Sequence, residues 1–305
     1  MVTPCRCLSV AFVLLFVAGG VSADESEDRA RHYFQKLGGD VYYSPGEPVW
    51  RVNLWWYIPV RDEGLKNLAT FRHLRYLYLY SPEVTDEGLK YLADLNELEQ
   101  LHLGGKVTDA GLKHLAGLKK LKSLALPKNV TGEGLKHLTS LKQLVNLDLA
   151  GTELNDEGLK AVGELKSLEV LNINFTKVTD DGLQHLAGLK NLRVLDIGAN
   201  RITDKGMKDL AALTELRRLK MDGITQAGMT GAGFGDLAPL QKLEGLNVSS
   251  VPHLRGASLE KLAVLKGLKW VDARGSVAPG ADFRMSLPGV RVITKDSDED
   301  GLQRD

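Results

Sequence analysis

Cysteine is nearly absent from this chain of 305 residues. The two cysteines, Cys5 and Cys7, lie close to the first residue, so the rest of the chain has no thiol for a disulfide, a zinc-thiolate site or a nucleophile. Net charge is absent as well, because 39 Lys and Arg balance 39 Asp and Glu. This balance argues against a general electrostatic attraction to nucleic acid or anionic lipid, and we predict no nucleic-acid partner.

The sequence motifs of common enzyme active sites are also missing. The chain contains no G-x-S-x-G elbow, no H-E-x-x-H zinc motif and no phosphate-binding P-loop. We therefore predict a protein that is not an enzyme, with no cofactor and no metal site. Segment 296–301 resembles the first half of a calcium loop, but the required bidentate carboxylate would fall at position 307, so a solvated acidic tail over 294–305 is favoured.

Long apolar runs are limited to one segment near the start of the chain. Residues 8–18 are almost entirely apolar, follow Arg6 and lead to small residues at 21–23. The run is short for a membrane span and is typical of a secretory signal peptide. We predict a signal peptide over 1–23, cleavage after Ala23, a secreted or periplasmic location, and no membrane insertion after cleavage.

A repeated phrase dominates the remaining sequence. Val-Thr-Asp, any residue, then Gly-Leu begins at Val84, Val107 and Val178, with a close variant at Ile202. The apolar anchor of this phrase recurs at spacings of 23 to 27 residues, at Leu65, Leu89, Leu112, Leu135, Leu159, Leu183, Met207, Phe234 and Leu259. Within one repeat, leucines at 112, 115, 118 and 121 follow a helical step, and 124–126 then alternate as in a strand. Each repeat is therefore predicted to contain one helix and one strand.

The Thr-Asp pair precedes each predicted helix. A side-chain oxygen at this place can accept hydrogen bonds from the free amides of the first helical turn. We predict that these aspartates are helix caps: Asp86, Asp109, Asp180 and Asp204. The glycine before each anchor fits either a close backbone approach or an unusual φ angle, and the sequence leaves both open.

These repeats resemble the leucine-rich repeats of exported bacterial proteins and are similar to repeats attached to F-box proteins, although no F-box is present. The resemblance implies an α/β curved solenoid (a horseshoe) over 51–293, with parallel strands on the concave face and short helices on the convex face. The segment 24–50 resembles the N-terminal cap of such bacterial proteins. The family mostly supplies binding surfaces with divergent partners.

Residues next to the strand leucines are predicted to face the concavity. All eight tyrosines and three of four tryptophans lie at or before residue 91. Such aromatic side chains are common in binding hot spots and in carbohydrate stacking. They can equally seal the end of the solenoid, and we assign Trp50 and Trp56 to that role. The predicted partner-binding residues are Asn53, Trp55, Tyr76, Tyr78, Tyr80, His102, Asp148, Asn172, Asp196, Arg218 and Lys220.

Arg218 and Lys220 precede an irregular, glycine-rich connection over 222–235 that lengthens its repeat. This connection is either part of a binding edge that takes an acidic group or a tolerated insertion. Overall, the sequence predicts a secreted or periplasmic binding scaffold that recognises another protein through its concave face. The alternative is a glycan-binding module that uses the N-terminal Tyr and Trp side chains.

Overall fold

The computed structural model describes residues 25–276 and 287–294. The predicted signal peptide, 1–23, and the predicted tail from residue 295 onward lie outside the described residues. Within the described ranges, no helix is both long enough and apolar enough to cross a membrane.

One sheet runs through the whole described part of the chain. Its strands are β1 (Asp40–Tyr42), β2 (Arg51–Leu54), β3 (Tyr76–Leu79), β4 (Gln100–Leu103), β5 (Ser123–Ala125), β6 (Asn146–Asp148), β7 (Val170–Asn172), β8 (Val194–Asp196), β9 (Arg218–Lys220), β10 (Gly245–Asn247), β11 (Trp270–Asp272) and β12 (Arg291–Ile293). They are ordered in the sheet as in the sequence. The β1–β2 pair is antiparallel and the other pairs are parallel and in register. This is the predicted curved solenoid, with one strand for each repeat.

Short helical segments connect the strands on the convex side. The α-helices are α1 (Glu25–Lys36), α2 (Asp156–Val162), α3 (Asp180–Leu183) and α4 (Met207–Leu210). The 3₁₀ segments are Asp62–Thr70, Asp86–Leu92, Asp109–Leu115, Glu133–Leu138, Gln184–Gly188, Asp204–Gly206, Ala232–Leu237 and Gly256–Val264. Most repeats thus carry 3₁₀ rather than α-helical turns, because a segment this short gains little from α-helical propagation.

The core lies between the sheet and the helical segments. Each strand from β3 to β10 contributes an inward-pointing residue with no exposed surface, in a row of Leu77, Leu101, Leu124, Leu147, Leu171, Leu195, Leu219 and Leu246. The helical anchors from Leu65 to Leu259 are equally buried and belong to the same core cluster. A single leucine-rich core therefore runs along the solenoid and links neighbouring repeats.

The Thr-Asp pair has a different role from the one predicted, because the threonine, and not the aspartate after it, caps the helical segment at Thr85, Thr108, Thr179 and Thr203. Asp109 accepts from amides at the start of a helical segment, those of Gly132 and Gly134, but these belong to the next repeat. The Thr108 hydroxyl accepts from the Ala110 amide, whereas the Asp86 carboxylate accepts from Thr108 of the next repeat, at 2.7 Å for both the amide and the hydroxyl. The same Asp–Thr bridge joins Asp62 to Thr85, Asp109 to Thr131, Asp156 to Thr179, Asp180 to Thr203 and Asp204 to Thr230. The aspartates therefore connect repeats.

The repeated glycine is explained by the same bridge. Gly88, Gly111, Gly182 and Gly206 have ordinary negative φ angles, and a Cβ at each of them would collide with the bridging aspartate of the preceding repeat. The close-approach interpretation is therefore the correct one for these positions. The repeat phrase encodes a contact between repeats that uses threonine, aspartate and glycine together.

Two junctions depart from this pattern. Gly132 and Gly231 stand where other repeats carry the bridging aspartate, and their φ angles of 106° and 79° are in the left-handed region. In the repeat after Gly132 the helical segment is capped by Asn155, whose Oδ1 accepts from the Gly158 amide at 2.9 Å, whereas in the repeat after Gly231 the segment begins at Arg255 without a side-chain cap. Within residues 25–276, these two junctions consequently have no Asp–Thr bridge.

The N-terminal end of the solenoid is covered by α1 and the antiparallel strand β1. Phe34 of α1 is fully buried and packs toward Phe71, with ring centroids 6.0 Å apart. Trp56 does not seal this end, because 74% of it is exposed, whereas Trp50 is 39% exposed and its ring packs on Tyr42 of β1 at 5.9 Å. The helix supplies the apolar cover, so the Trp56 indole remains at the surface.

Candidate functional site

Parallel, in-register pairing aligns equivalent residues of successive strands on the concave face. The central column consists of Asn53, Tyr78, His102, Ala125, Asp148, Asn172, Asp196, Lys220, Asn247 and Asp272. Strand neighbours are about 4.8 Å apart, so side chains in one column contact each other directly. The structure therefore places the predicted site residues along one face, although their exposure differs.

Four of the predicted residues form a continuous aromatic cluster, which we define as Trp55, Tyr78, Tyr80 and His102. Trp55 stacks on Tyr80 at 6.0 Å with an angle of 10° between the ring planes. Tyr78 lies between Trp55 and His102, at centroid distances of 6.4 Å and 4.7 Å. Each ring is only partly buried, so the cluster presents a broad aromatic surface to the concavity.

Hydrogen bonds fix the orientation of these rings. The Tyr78 hydroxyl donates to Gln100 Oε1 at 3.2 Å, and Gln100 Nε2 lies 3.0 Å from His102 Nε2. His102 Nδ1 is 3.0 Å from the Tyr80 hydroxyl. Because the Gln100 amide nitrogen is a donor, neutral His102 accepts at Nε2 and donates from Nδ1 to Tyr80. The Tyr80 hydroxyl then keeps its proton free for a ligand.

Burial changes the ionisation of the cluster. It lowers the pKa of His102, opposed by the Asp148 carboxylate, which raises it. Burial likewise raises the pKa of Tyr80, and the nearby Tyr78 and Asp148 add to this shift. Both shifts favour uncharged side chains at neutral pH. The cluster is therefore a neutral, apolar surface with fixed hydrogen-bonding groups.

Three further residues complete this region and were missed by the sequence analysis. The Arg51 guanidinium lies 4.8 Å from the Tyr78 ring centroid, and Asp40 accepts from the Trp55 indole N–H at 2.8 Å. Gln100 provides the hydrogen bonds described above. Arg51 and Gln100 occupy the first concave position of their strands, so strand alternation was enough to find them. Asp40 belongs to the antiparallel β1 and has no repeat signature.

Tyr76 lies at the edge of this region. Its ring packs edge-on against Trp50 at 5.9 Å, and no ring contact joins it to the aromatic cluster among the described residues.

The prediction that Asn53 is a binding residue is corrected by its burial, because it is only 1% exposed. Its Oδ1 accepts from Arg51 Nε at 3.0 Å, and β1 pairs with its strand. Asn53 therefore supports the sheet and has little surface for a partner.

Much of the polar central column also has a local structural role. The side-chain oxygens of Asp148, Asn172 and Asp196 accept from the backbone amide two residues later, at 3.0, 3.0 and 3.1 Å. Asn247 and Asp272 do the same. These Asx turns bend the chain away from the sheet at the end of each strand. The recurrence of Asp and Asn in this column thus has a structural cause that is separate from binding.

A shallow depression of about 210 Å³ adjoins the aromatic cluster. Its wall is formed by Gln100 and His102, and small residues, Ser123 and Ala125, form part of its floor. Asp148, Asn172, Asp196 and Lys220 continue the lining toward the C-terminal end. The floor is low because Ala125 stands where neighbouring strands carry larger side chains. The depression can accept a protruding side chain of a bound molecule.

Comparison with known proteins agrees with this architecture. A family model described as a leucine-rich repeat region matches residues 59–278, which is more than half of the chain. The chain belongs to the leucine-rich repeat family. No curated protein sequence matches it.

Two solved structures from Listeria monocytogenes share the leucine-rich repeat fold. An internalin C2 is 23% identical, covers 84% of this chain and 92% of its own, and has a TM-score of 0.53. An internalin, inlF, is also 23% identical, covers 75% of this chain and 69% of its own, and has a TM-score of 0.52. At this level of identity the similarity concerns the fold alone.

The C-terminal part of the leucine-rich repeat sheet presents a different surface. Arg218 and Lys220 are exposed, and Lys220 Nζ lies 3.9 Å from Asp196 Oδ2. Burial raises the pKa of the neighbouring Asp222, and the Asp196 carboxylate raises it further. Trp270, which the sequence analysis did not select, lies over Gly245, where any Cβ would collide with the indole.

The irregular connection over 222–235 is accommodated without loss of the repeat contact. Thr230 still receives the Asp204 bridge at 2.7 Å, and Ile224 and Met229 are buried. The insertion therefore contributes buried side chains to the core, and only part of it loops away from the repeat.

No group of three or more His, Cys, Asp or Glu side chains in the described ranges is close enough to hold a metal ion.

Proposed function

We propose that this leucine-rich repeat protein is an exported, non-enzymatic scaffold that recognises another protein through its concave face. The observation that carries the proposal is the aromatic cluster, whose four rings are partly exposed, packed on one another and fixed by hydrogen bonds. Rigid aromatic side chains lose little conformational entropy on binding and dominate many protein interfaces. The cluster is the proposed anchor of the interface.

The surroundings of the cluster fit the arrangement of a protein interface. The depression next to it offers space for a partner side chain. Exposed Arg218 and Lys220 lie farther along the same face and supply a charged periphery. An apolar centre with a polar margin is the usual composition of protein interfaces. We place Trp55, Tyr76, Tyr78, Tyr80 and His102 at the centre of the binding surface, Asp148, Asn172 and Asp196 around the depression, and Arg218 and Lys220 at the margin.

Affinity capture tests this proposal. Residues 24–305 are used as bait against envelope and secreted fractions of the source cell, beside a variant with Tyr76→Ala, Tyr78→Ala and Tyr80→Ala. We expect the wild-type chain to retain a specific protein and the variant to lose it. Lys113→Ala on the convex side is the matched control and keeps the partner. Equal capture by a triple variant whose circular dichroism and melting curve match the wild type would overturn the proposal.

A glycan ligand is the second candidate, and a specific observation favours it. The Trp55 and Tyr80 rings are nearly parallel and partly exposed, and the Tyr80 hydroxyl can donate its proton to a ligand beside them. A flat apolar surface beside hydrogen-bonding groups suits the apolar face of a sugar ring. A glycan array probed with residues 24–305 separates the two candidates. Saccharide binding that is lost with Trp55→Ala would favour the glycan module over the protein scaffold.

Export is the part of the proposal that depends on residues 1–23. The short apolar run and the small residues before position 24 support cleavage after Ala23. We expect the protein in the secreted or periplasmic fraction, with Asp24 as its first residue. N-terminal sequencing of the native protein tests this directly. A cytoplasmic protein that retains residues 1–23 would contradict export and would leave the binding proposal unaffected.

A further inference from the structure

The edge of the sheet where the strands end carries a second unusual set of side chains. We call this edge the exit flank. Its turn column lies three residues after the central strand position: Trp56, Ser81, Gly105, Lys128, Gly151, Phe175, Ala199, Gly223, Ser250 and Gly275. Most of these residues are Gly, Ala or Ser, because the chain turns sharply there. Trp56, Lys128 and Phe175 are the exceptions.

Phe175 is unfavourable for the fold at this place. Its φ of 55° is in the left-handed region, which in this column is otherwise adopted by four glycines and by the small residues Ala199 and Ser250, and its side chain is 70% exposed. A bulky residue in this conformation is strained and gains little from burial here. Space beside the preceding turn is open, since a Cβ added at Gly151 would meet no atom within 4 Å. Stability of the fold therefore does not account for a phenylalanine at position 175.

The other strongly exposed aromatic residues lie on the same edge. Trp56 is 74% exposed and Tyr57 is 60% exposed, and together with Phe175 they are the three most exposed large hydrophobic side chains of the described residues. Five strand spacings separate Trp56 from Phe175, which corresponds to about 24 Å. The exit flank thus presents two separate aromatic projections, with small and polar residues between them.

Among the described residues, two unpaired cations lie on the exit flank, beside basic residues that are paired with acidic ones. Lys128 is exposed and belongs to the turn column. Arg201 is also exposed and lies in the repeat after Phe175, two residues beyond the turn-column residue Ala199. Neither forms an ion pair with any described residue, whereas Lys106 and Lys177 are neutralised by Glu83 and Glu153. The chain as a whole is uncharged, so Lys128 and Arg201 give the exit flank a local positive charge that the overall composition does not reveal.

We propose that the exit flank is a membrane-facing surface that rests on an anionic lipid bilayer. Tryptophan, tyrosine and phenylalanine side chains partition into the interfacial layer of a bilayer, and each adjacent Lys or Arg strengthens binding to anionic lipid roughly five-fold. A fluid bilayer surface admits the two aromatic projections independently of each other, so their separation of about 24 Å does not hinder binding. The proposal is independent of the concave site, which faces a different direction and stays free for its own partner.

Vesicle sedimentation tests this inference. Residues 24–305 are mixed with vesicles of phosphatidylglycerol and phosphatidylcholine in equal parts, and with vesicles of phosphatidylcholine alone. We expect binding to the anionic vesicles and much weaker binding to the neutral ones. A Trp56→Ser, Phe175→Gly double variant should lose at least ten-fold in partitioning, and Lys128→Glu with Arg201→Glu should abolish the preference for anionic lipid. Val264→Ser, at an exposed convex side chain, is the matched control and binds as the wild type does.

The Phe175→Gly change also separates binding from folding. Glycine adopts the left-handed conformation without strain, so this variant should be at least as stable as the wild type while binding lipid less. The proposal is overturned if the wild-type chain does not sediment with anionic vesicles, or if the double variant sediments equally well. It is also overturned if light scattering shows a dimer that Phe175→Gly dissociates, because the flank would then be a protein contact.

Discussion

The two ends of the concave face differ in how firmly their side chains are held. At the N-terminal end, Tyr78 packs between Trp55 and His102 and also donates a hydrogen bond to Gln100. At the C-terminal end, Lys220 is exposed and has one distant carboxylate partner. A rigid end can supply affinity at low entropic cost, whereas exposed charges mainly influence the rate of encounter. The comparison suggests that one binding face divides these two tasks.

The largest expected effect comes from removing the aromatic centre. Tyr78→Ala should weaken binding to the captured partner by about 30-fold or more, mainly through faster dissociation, because it removes a ring in contact with Trp55 and His102. Lys220→Ala should change affinity by less than about five-fold. Surface plasmon resonance measures both. Tyr78→Phe, which keeps the ring, is the control and should retain most of the affinity. Equal losses for Tyr78→Ala and Lys220→Ala would remove the distinction between the two ends.

The next largest effect is a loss of stability at the C-terminal end, where the Trp270 indole packs over Gly245. Gly245→Ala should destabilise the fold by about 1–3 kcal/mol, because its Cβ would collide with the indole of Trp270. Gly235→Ala is the matched control, since its Cβ would meet no atom within 4 Å and its φ is not positive. Urea unfolding followed by circular dichroism gives both values. If Gly245→Ala is as stable as the wild type, the indole does not lie over this strand.

A smaller effect is the pH dependence of stability that His102 gives to the N-terminal end. Burial lowers the pKa of His102, so the folded state binds this proton less readily than the unfolded state does. The stabilising contribution is complete above the unfolded value of about 6.5 and is lost as the pH falls from there through the folded pKa. Melting temperatures from pH 8 to pH 5 should therefore fall more steeply for the wild type than for His102→Gln. Parallel curves for the two proteins would refute this role of His102.

Much of the fold follows from the sequence because the repeat phrase encodes contacts of fixed geometry. Alternation around Leu77 and Leu101 correctly placed Tyr78 and His102 on one face, and the period correctly predicted one strand per repeat. The aspartates were misassigned as caps because a single repeat does not show that Asp86 reaches the threonine of the next one. That contact exists only between stacked repeats.

The exposure of a side chain was harder to predict from the sequence than the face of the sheet on which it lies. Asn53 has the alternation of a concave residue, yet it is buried because β1 pairs with its strand in the antiparallel direction, outside the repeat pattern. Trp56 resembled a sealing residue because it is large and terminal, but Phe34 of α1 covers that end. Phe175 was overlooked because its strain depends on a φ angle that no residue pattern specifies.

The smallest expected effect concerns the exposed charges of Arg218 and Lys220. Arg218→Ala with Lys220→Ala should lower the association rate two- to five-fold at low salt, as is usual for charges at an interface margin, and leave dissociation nearly unchanged. Raising the ionic strength should reduce the difference between variant and wild type, because screening acts on exposed charges. Stopped-flow association at two salt concentrations measures this. A large change in the dissociation rate would move these residues into the centre of the interface.

We propose that the aromatic cluster is the part of the surface that a partner covers. Hydroxyl-radical footprinting with mass spectrometry tests it directly, because tyrosine and tryptophan oxidise in proportion to their exposure. With the captured partner bound, we predict protection of Trp55, Tyr78 and Tyr80 and unchanged oxidation of Trp56 and Phe175 on the exit flank. Protection of Trp56 and Phe175, with Tyr78 oxidised as in the free protein, would contradict the account.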